Sequence, residues 1–486
     1  MRIGELQMRA LLISTYELGR QPFGLASPAA WLRREGWEVT CVDLAKERLT
    51  DTVVRGASLV GFHLPMHTAT RLAASAIQRV RDVNPAAQLC AYGLYAPLNR
   101  EWLQSIGVPL VLGGEFEESL AAVARHIADR SSNLLSSRAT EASAPGPATD
   151  PMPAASLAIP RLKFLVPDRR GLPPLERYAF LQMPDGTRRV VGSTEASRGC
   201  KHLCRHCPVV PVYNGQFRIV QPDVVLADIA AQVAAGAQHI TFGDPDFLNG
   251  PTHALRVVER LHDAWPTVTY DVTVKIQHLL QQADVLPRLR ETGCLFVTSA
   301  VESIDDAVLV HLDKGHTRAD FLEAVATCRS IGLTLVPTFV AFHPWATLSG
   351  YCDLLDTIAN LDLVDNVAPI QLAIRLLIPE GSKLLELDEI GALVAGFDRA
   401  TLTYQWSHSD PRVDELHRDV SVLVGSHVAG NRRRVFEEIQ ALAHERAAIP
   451  LAASPALARG ERSLVPFLSE PWYCCAEPNP EQLRLV

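Results

Sequence analysis

Short apolar runs and amphipathic stretches alternate along most of this chain. Residues 10–14 (ALLIS) form a run of strand type, and residues 29–35 carry a helical pattern. Residues 37–42 and 58–62 predict two more strands, 69–83 a helix, 88–92 a fourth strand and 110–112 a fifth. Strands and helices in this rhythm indicate a doubly wound, Rossmann-like parallel sheet, a fold that takes ligands at the carboxyl ends of its strands. The expected first domain covers residues 8–128.

Ser, Ala, Pro and Thr then dominate without periodicity, so residues 129–158 read as a flexible linker. Alternation resumes over residues 159–385. Helices are predicted at 223–235, 253–264, 285–291, 320–330 and 348–360, and strands at 239–242, 267–274, 295–300, 334–340 and 370–374. That is the rhythm of a partial or full (β/α) barrel, with chemistry at the strand C-termini. Residues 386–486 read as a small helical region ending in a Pro-rich tail with Cys474 and Cys475. The fold class is α/β throughout.

Composition narrows the partners. At ~150 residues per domain, 486 residues suggest about three domains, and 48% hydrophobic residues suffice for several cores. The net charge is −8, and the tight cationic cluster Arg432–Arg434 reads as a solvated helix end, which argues against a nucleic-acid partner. No run of about eighteen apolar residues and no apolar signal core occur, so neither a membrane span nor secretion is expected. The expected setting is cytoplasmic. There the ten cysteines are reduced, and a tight cysteine cluster reads as metal-binding or catalytic.

Such a cluster stands at residues 197–208, SRGCKHLCRHCP. Three thiolates from Cys200, Cys204 and Cys207 suit three irons of a cubane cluster and leave the fourth iron without a protein ligand. The alternatives are a zinc site that adds His202 or His206, and unliganded thiols; zinc sites usually draw on two separated ligand pairs, and no second C-x-x-C is present.

The cysteine motif and its surroundings resemble the radical S-adenosylmethionine (SAM) superfamily, in its branch with an N-terminal cobalamin-binding-like domain. The resemblance covers about residues 9–385. It includes PRLKFLVPD and ERYAF ahead of the cysteines, GDPDF at 243–247, VES at 301–303 with LDKGHT at 312–317, and LIPEGSKL at 377–384. It implies a radical SAM (β/α) barrel with a [4Fe-4S] cluster on the three cysteines. It also implies SAM contacts at Gly243, Asp244 and Glu302, of which the two carboxylates suit an ammonium or ribose hydroxyls. Position 206 departs from the pattern, with His206 where most members carry Phe or Tyr; imidazole can still stack near adenine.

Cobalamin is a further candidate cofactor. The N-terminal rhythm suits a corrinoid, yet the Asp-x-His-x-x-Gly motif is missing, and His63 and His67 in FHLPMHT read more readily as loop residues than as cobalt ligands. The tail PWYCCAEP at 471–478 resembles a radical SAM family marked by a CCAEP or selenocysteine-containing CUAEP ending. In that light Cys474 and Cys475 are candidate catalytic thiols for a soft element such as trivalent arsenic. The chain is also similar in domain order to the radical SAM enzymes of arsinothricin biosynthesis, which transfer a 3-amino-3-carboxypropyl group of SAM to arsenite. The third cysteine their longer motif needs is absent here. The expected function is a radical SAM enzyme, a transferase acting on a small-molecule acceptor and fed by an electron donor such as flavodoxin or ferredoxin. The alternatives are a cobalamin-dependent radical SAM methyltransferase and a non-catalytic iron–sulfur sensor.

Overall fold

In the computed structural model, residues 8–139, 159–426, 431–451, 465–470, 477–478 and 482 are described. The chain divides into two units: residues 1–17, 21–173 and 477–486, and residues 18–20 and 174–476.

The first unit runs β1 (Arg9–Ser14), α1 (Phe23–Arg34), β2 (Glu38–Asp43), α2 (Asp51–Arg55), β3 (Leu59–His63) and α3 (His67–Val83). It continues through β4 (Gln88–Tyr92), α4 (Tyr95–Leu98), α5 (Arg100–Ser105), β5 (Leu110–Val111) and α6 (Glu117–Ala139). The strands pair in parallel in the order β2-β1-β3-β4-β5. A parallel sheet covered on both faces needs apolar residues on both. Leu12, Leu25, Leu32, Leu59 and Leu120 are accordingly shut off from solvent in one core. Helix α6 reaches Ala139, inside the segment expected to be linker. Its Ser-rich end lacks helix breakers, since no Gly or Pro intervenes from Glu117 to Ala144.

The second unit opens with β6 (Phe180–Gln182), β7 (Arg188–Thr194), β8 (Ser197–Gly199), α7 (Val209–Tyr213), β9 (Phe217–Ile219), α8 (Pro222–Ala234) and β10 (His239–Phe242). It proceeds through α9 (Pro251–Ala264), β11 (Thr269–Thr273), α10 (Ile276–Gln281), α11 (Leu286–Glu291), β12 (Cys294–Glu302), α12 (Asp306–His311), α13 (Arg318–Ser330), β13 (Thr334–Phe339) and α14 (Leu348–Asn360). It ends with α15 (Asp388–Leu393), β14 (Phe397–Asp398), β15 (Thr403–Tyr404), α16 (Pro411–Ser426), α17 (Arg432–Ala447) and β16 (Phe467–Leu468). Strands β7, β10, β11, β12 and β13 are parallel, and β6 and β16 extend the β7 edge antiparallel. The sheet curls into a half-barrel.

Two features differ from the sequence expectation. The barrel begins earlier, with the β6–β7 hairpin turned by Asp185-Gly186, where Asp185 Oδ1 accepts from Thr187 N at 2.8 Å. And the expected strand at 370–374 is a tight helical turn, Pro369–Ala373. Pro369 cannot donate to a ladder. In place of a further strand, side chains serve β13: Gln371 Oε1 accepts from Phe339 N at 3.2 Å, and Asn366 Nδ2 donates to Leu335 O at 2.7 Å.

Candidate active site in the half-barrel

Strand β8 pairs with β9 and launches the cysteine loop. Gly199 stands at φ +76°, and a Cβ there would lie 2.4 Å from the Tyr213 ring and 2.5 Å from Gln216 O, so this turn admits only glycine. The loop that follows is pinned from several sides. Lys201 N donates to Asn249 Oδ1 at 3.2 Å, Arg205 N to Leu312 O at 2.9 Å, and Ser382 Oγ to Arg205 O at 3.3 Å. Ser382 belongs to the LIPEGSKL segment, so that stretch touches the loop directly.

Burial pushes the Cys200 thiol up to about 11 and the Cys207 thiol up to about 12. With no metal they are neutral thiols; iron coordination displaces the protons. Two buried lysines oppose that rise through their charge, Lys275 for Cys200 and Lys314 for Cys207. Buried cationic charge near a cysteine loop suits an anionic, thiolate-ligated centre. The residues present therefore fit a [4Fe-4S] cluster.

Glu302 closes β12 at φ +69°. Its Oε1 lies 3.1 Å from His206 Nε2 and 3.4 Å from Lys314 Nζ. Burial by itself would raise this carboxyl, but Lys314 and His206 outweigh it and hold it at about 2. The imidazole at 206 is thus tied to Glu302, and the pair joins the cysteine loop to the strand end. Asp244 is 1% exposed, with both oxygens engaged: Oδ1 accepts from Ser197 Oγ at 2.6 Å and Oδ2 from Ala196 N at 2.9 Å. Burial lifts its carboxyl to about 7 against those bonds. Gly243 N donates to Thr194 O at 2.8 Å, continuing the β7–β10 pairing past the strand end. So the structure gathers the cysteine loop, Gly243, Asp244 and Glu302 at the carboxyl ends of β7, β10 and β12. Lys275, Asp246 and His278 border the same place. Asp246 and Lys314 lie inside motifs visible in the sequence, whereas nothing local marks Lys275 or His278.

In the first unit, the order β2-β1-β3-β4-β5 puts a topological switch point between β1 and β3, the usual ligand position in such sheets. Ser14 Oγ, at the end of β1, is buried and without a hydrogen-bond partner, so the cradle offers a ligand a polar group. The His63 ring packs with Tyr92 and Phe116 and would lie 2.0 Å from a Cβ at Gly24. His67 Nε2 is 2.9 Å from Glu477 Oε1. Ser14 Oγ and His63 Nδ1 are thus buried polar atoms that a corrinoid bound at this edge could meet. Glu477, which also pairs with Arg71, and Pro478 are the described part of the CCAEP tail. Cys474 and Cys475 lie outside the described residues.

Residues 194–347, which include all three loop cysteines, match the radical SAM superfamily. This stretch is a radical SAM domain. Proteins with this domain use a [4Fe-4S] cluster and SAM. Among curated proteins, a tRNA-2-methylthio-N(6)-dimethylallyladenosine synthase of Desulfosudis oleivorans is 27% identical over 201 residues, 38% of this chain and 41% of that protein. A hopanoid C-2 methylase of Rhodopseudomonas palustris is 20% identical over 160 residues, 32% of this chain and 30% of the relative. The chain thus spans well under half the length of these curated relatives. Solved structures extend the likeness beyond the radical SAM domain. TsrM from Kitasatospora setae, a radical SAM methyltransferase, superposes with TM-score 0.62 at 18% identity, over 81% of this chain and 78% of that one. The cobalamin-dependent radical enzyme OxsB superposes with TM-score 0.63 at 12% identity, over 90% and 72%. At those identities the likeness establishes the fold: a parallel N-terminal sheet and a radical SAM half-barrel. No described helix is long and apolar enough to cross a membrane.

Proposed function

We propose that this chain is a radical SAM enzyme that cleaves SAM reductively and transfers a SAM-derived group to a small-molecule acceptor. One observation carries the reading: the three cysteines of the radical SAM domain stand on a loop pinned by Asn249, Leu312 and Ser382. Cys200, Cys204 and Cys207 hold the cluster, which when bound supplies one electron to the sulfonium. Gly243 and Glu302 position SAM at the strand ends. Asp244 supports that position through Ala196 and Ser197. The electron comes from an external reductant such as flavodoxin or ferredoxin.

Which group is transferred separates two finer readings. The first is corrinoid-dependent methyl transfer, favoured by the likeness of both units to TsrM and OxsB, whose solved structures include cobalamin. In it the switch point of the first unit cradles cobalamin near Ser14. The second is transfer of the 3-amino-3-carboxypropyl group to trivalent arsenic, with Cys474 and Cys475 handling the acceptor; it rests on the CCAEP tail and the resemblance in domain order to the arsinothricin enzymes.

Anaerobic incubation of reconstituted protein with SAM and dithionite, followed by identification of the SAM fragment, tests the reading. One electron to SAM gives methionine and a 5′-deoxyadenosyl radical, or methylthioadenosine and an aminocarboxypropyl radical. S-adenosylhomocysteine formed with stoichiometric cobalt supports methyl transfer, and methylthioadenosine with an arsenic-carbon product supports the second reading. No SAM consumption by protein with a full cluster rules out the enzyme reading and leaves an iron–sulfur sensor.

A further inference from the structure

Beside the cysteine loop lies a second group of potential metal ligands that the cluster does not use. His202 sits between Cys200 and Cys204, Asp246 follows β10, and His278 lies in α10 after β11. Asp246 is 1% exposed, and neither of its carboxylate oxygens has a hydrogen-bond partner. It stands just before a short helical turn, Phe247–Asn249, yet does not cap it. His278 Nδ1 is 2.6 Å from Asp246 Oδ2, but the contact is off-line and forms no directed hydrogen bond. His202 Nε2 is 3.6 Å from the same oxygen and 3.3 Å from His278 Nε2.

A buried carboxylate without hydrogen bonds is costly, and proteins retain one chiefly where it is paired or ligates a metal. Two imidazoles converge on it, and imidazole is a common metal ligand. Ligands at ~2.0–2.2 Å in tetrahedral array stand roughly 3.3–3.5 Å apart. One nitrogen of each imidazole and one carboxylate oxygen lie within 4.8 Å of one another; the 3.6 Å between His202 Nε2 and Asp246 Oδ2 is already close to that spacing, and a small rotation of the His278 ring turns a single nitrogen to a shared ion. We propose that His202, Asp246 and His278 form a mononuclear site for a divalent transition-metal ion, chemically separate from the thiolate cluster. Two histidines and one carboxylate suit Zn²⁺ or Fe²⁺ and leave positions open. At the carboxyl ends of β10 and β11, those positions can take an oxygen, nitrogen or sulfur donor from a small molecule. The site stands whichever fragment of SAM is transferred.

The test uses the full chain with its cluster reconstituted, equilibrated anaerobically with zinc sulfate and then passed through a weak chelator. Iron and zinc are measured per chain, and zinc is examined by X-ray absorption. The expected result is about one zinc beyond the cluster iron, with a nitrogen and oxygen shell at ~2.0–2.1 Å and no sulfur at ~2.3 Å. Asp246→Asn and His278→Ala should weaken zinc retention more than ~10-fold with iron unchanged. If either buried variant loses iron as well, His202→Gln in the loop decides, with the same expected loss of zinc. A sulfur shell, no retained zinc, or equal zinc in wild type and His202→Gln overturns the proposal.

Discussion

The two units of this protein share a strand–helix rhythm and differ in what stands at their strand ends. In the first, β1 ends at Ser14, β2 at Asp43, β3 at His63 and β4 at Tyr92. Ser14 Oγ has no hydrogen-bond partner, while the others make structural contacts: Asp43 Oδ1 accepts from Ala45 N at 3.0 Å, the Tyr92 hydroxyl donates to Gly24 O at 3.0 Å, and the His63 ring lies against Gly24. In the half-barrel Asp244, Asp246, Lys275 and Glu302 stand at or just after strand ends, and Lys314 reaches Glu302 from the segment after α12; all are buried and ionisable. Burying a charge is expensive unless it is paired. A fold can carry so many at one edge only where they hold one another or a bound group, and such clustering is how pKa values are driven apart at working sites. Rhythm identifies architecture; what stands at the strand ends distinguishes the two units.

The largest expected effect lies in the cysteine loop. Replacing Cys200, Cys204 and Cys207 together by Ala should abolish iron binding and SAM cleavage, measured by iron content and product formation, while the first unit keeps its structure. Iron retained at wild-type level would refute the cluster assignment.

Next comes Lys314→Met, which leaves Glu302 buried beside His206 without its ammonium partner. Removing one member of a buried pair costs ~3–5 kcal/mol, and chemical denaturation should show a loss of that order. An unchanged midpoint would mean that Glu302 is not held as an ion. The matching change in the first unit is milder. Gly24→Ala drives a Cβ into the His63 ring and should cost ~1–3 kcal/mol with iron content unaffected. Loss of iron in that variant would break the division of labour between the units.

The smallest effects are those of pH. Glu302 is depressed to about 2 from an ordinary value of 4.5. Its contribution is complete above about 4.5 and disappears as pH falls through about 2. Asp244 is raised to about 7, so the folded state holds its proton more tightly than the unfolded chain. Its contribution therefore falls as pH climbs from about 4 to 7. Thermal melts of the cluster-free protein should lose stability over that window, and Asp244→Asn should flatten the slope. Parallel slopes in the two proteins would show that Asp244 is ionised when buried.

Much of this was legible in the sequence. The five strands of the first sheet, the helices and later strands of the barrel and the three cysteines all announce themselves through local pattern, because strand periodicity, turn residues and ligand spacing are properties of neighbouring residues. The β6–β7 hairpin lies outside the elements the pattern predicts, although Asp185-Gly186 marks its turn. The missing strand at 370–374 shows the limit of local reading: apolar residues there look like a strand, but Pro369 and the side chains of Asn366 and Gln371 substitute for one. The candidate site divides in the same way. Gly243, Asp244 and Glu302 could be named from the sequence, but not what each side chain meets. That Asp244 faces Ser197, that Glu302 meets His206 and Lys314, and that Asp246 lies against His202 and His278 depend on chain segments up to 96 residues apart. Hydrogen bonding and desolvation act through space, so only the folding of distant strands onto one edge decides which buried charges are paired and which wait for a ligand.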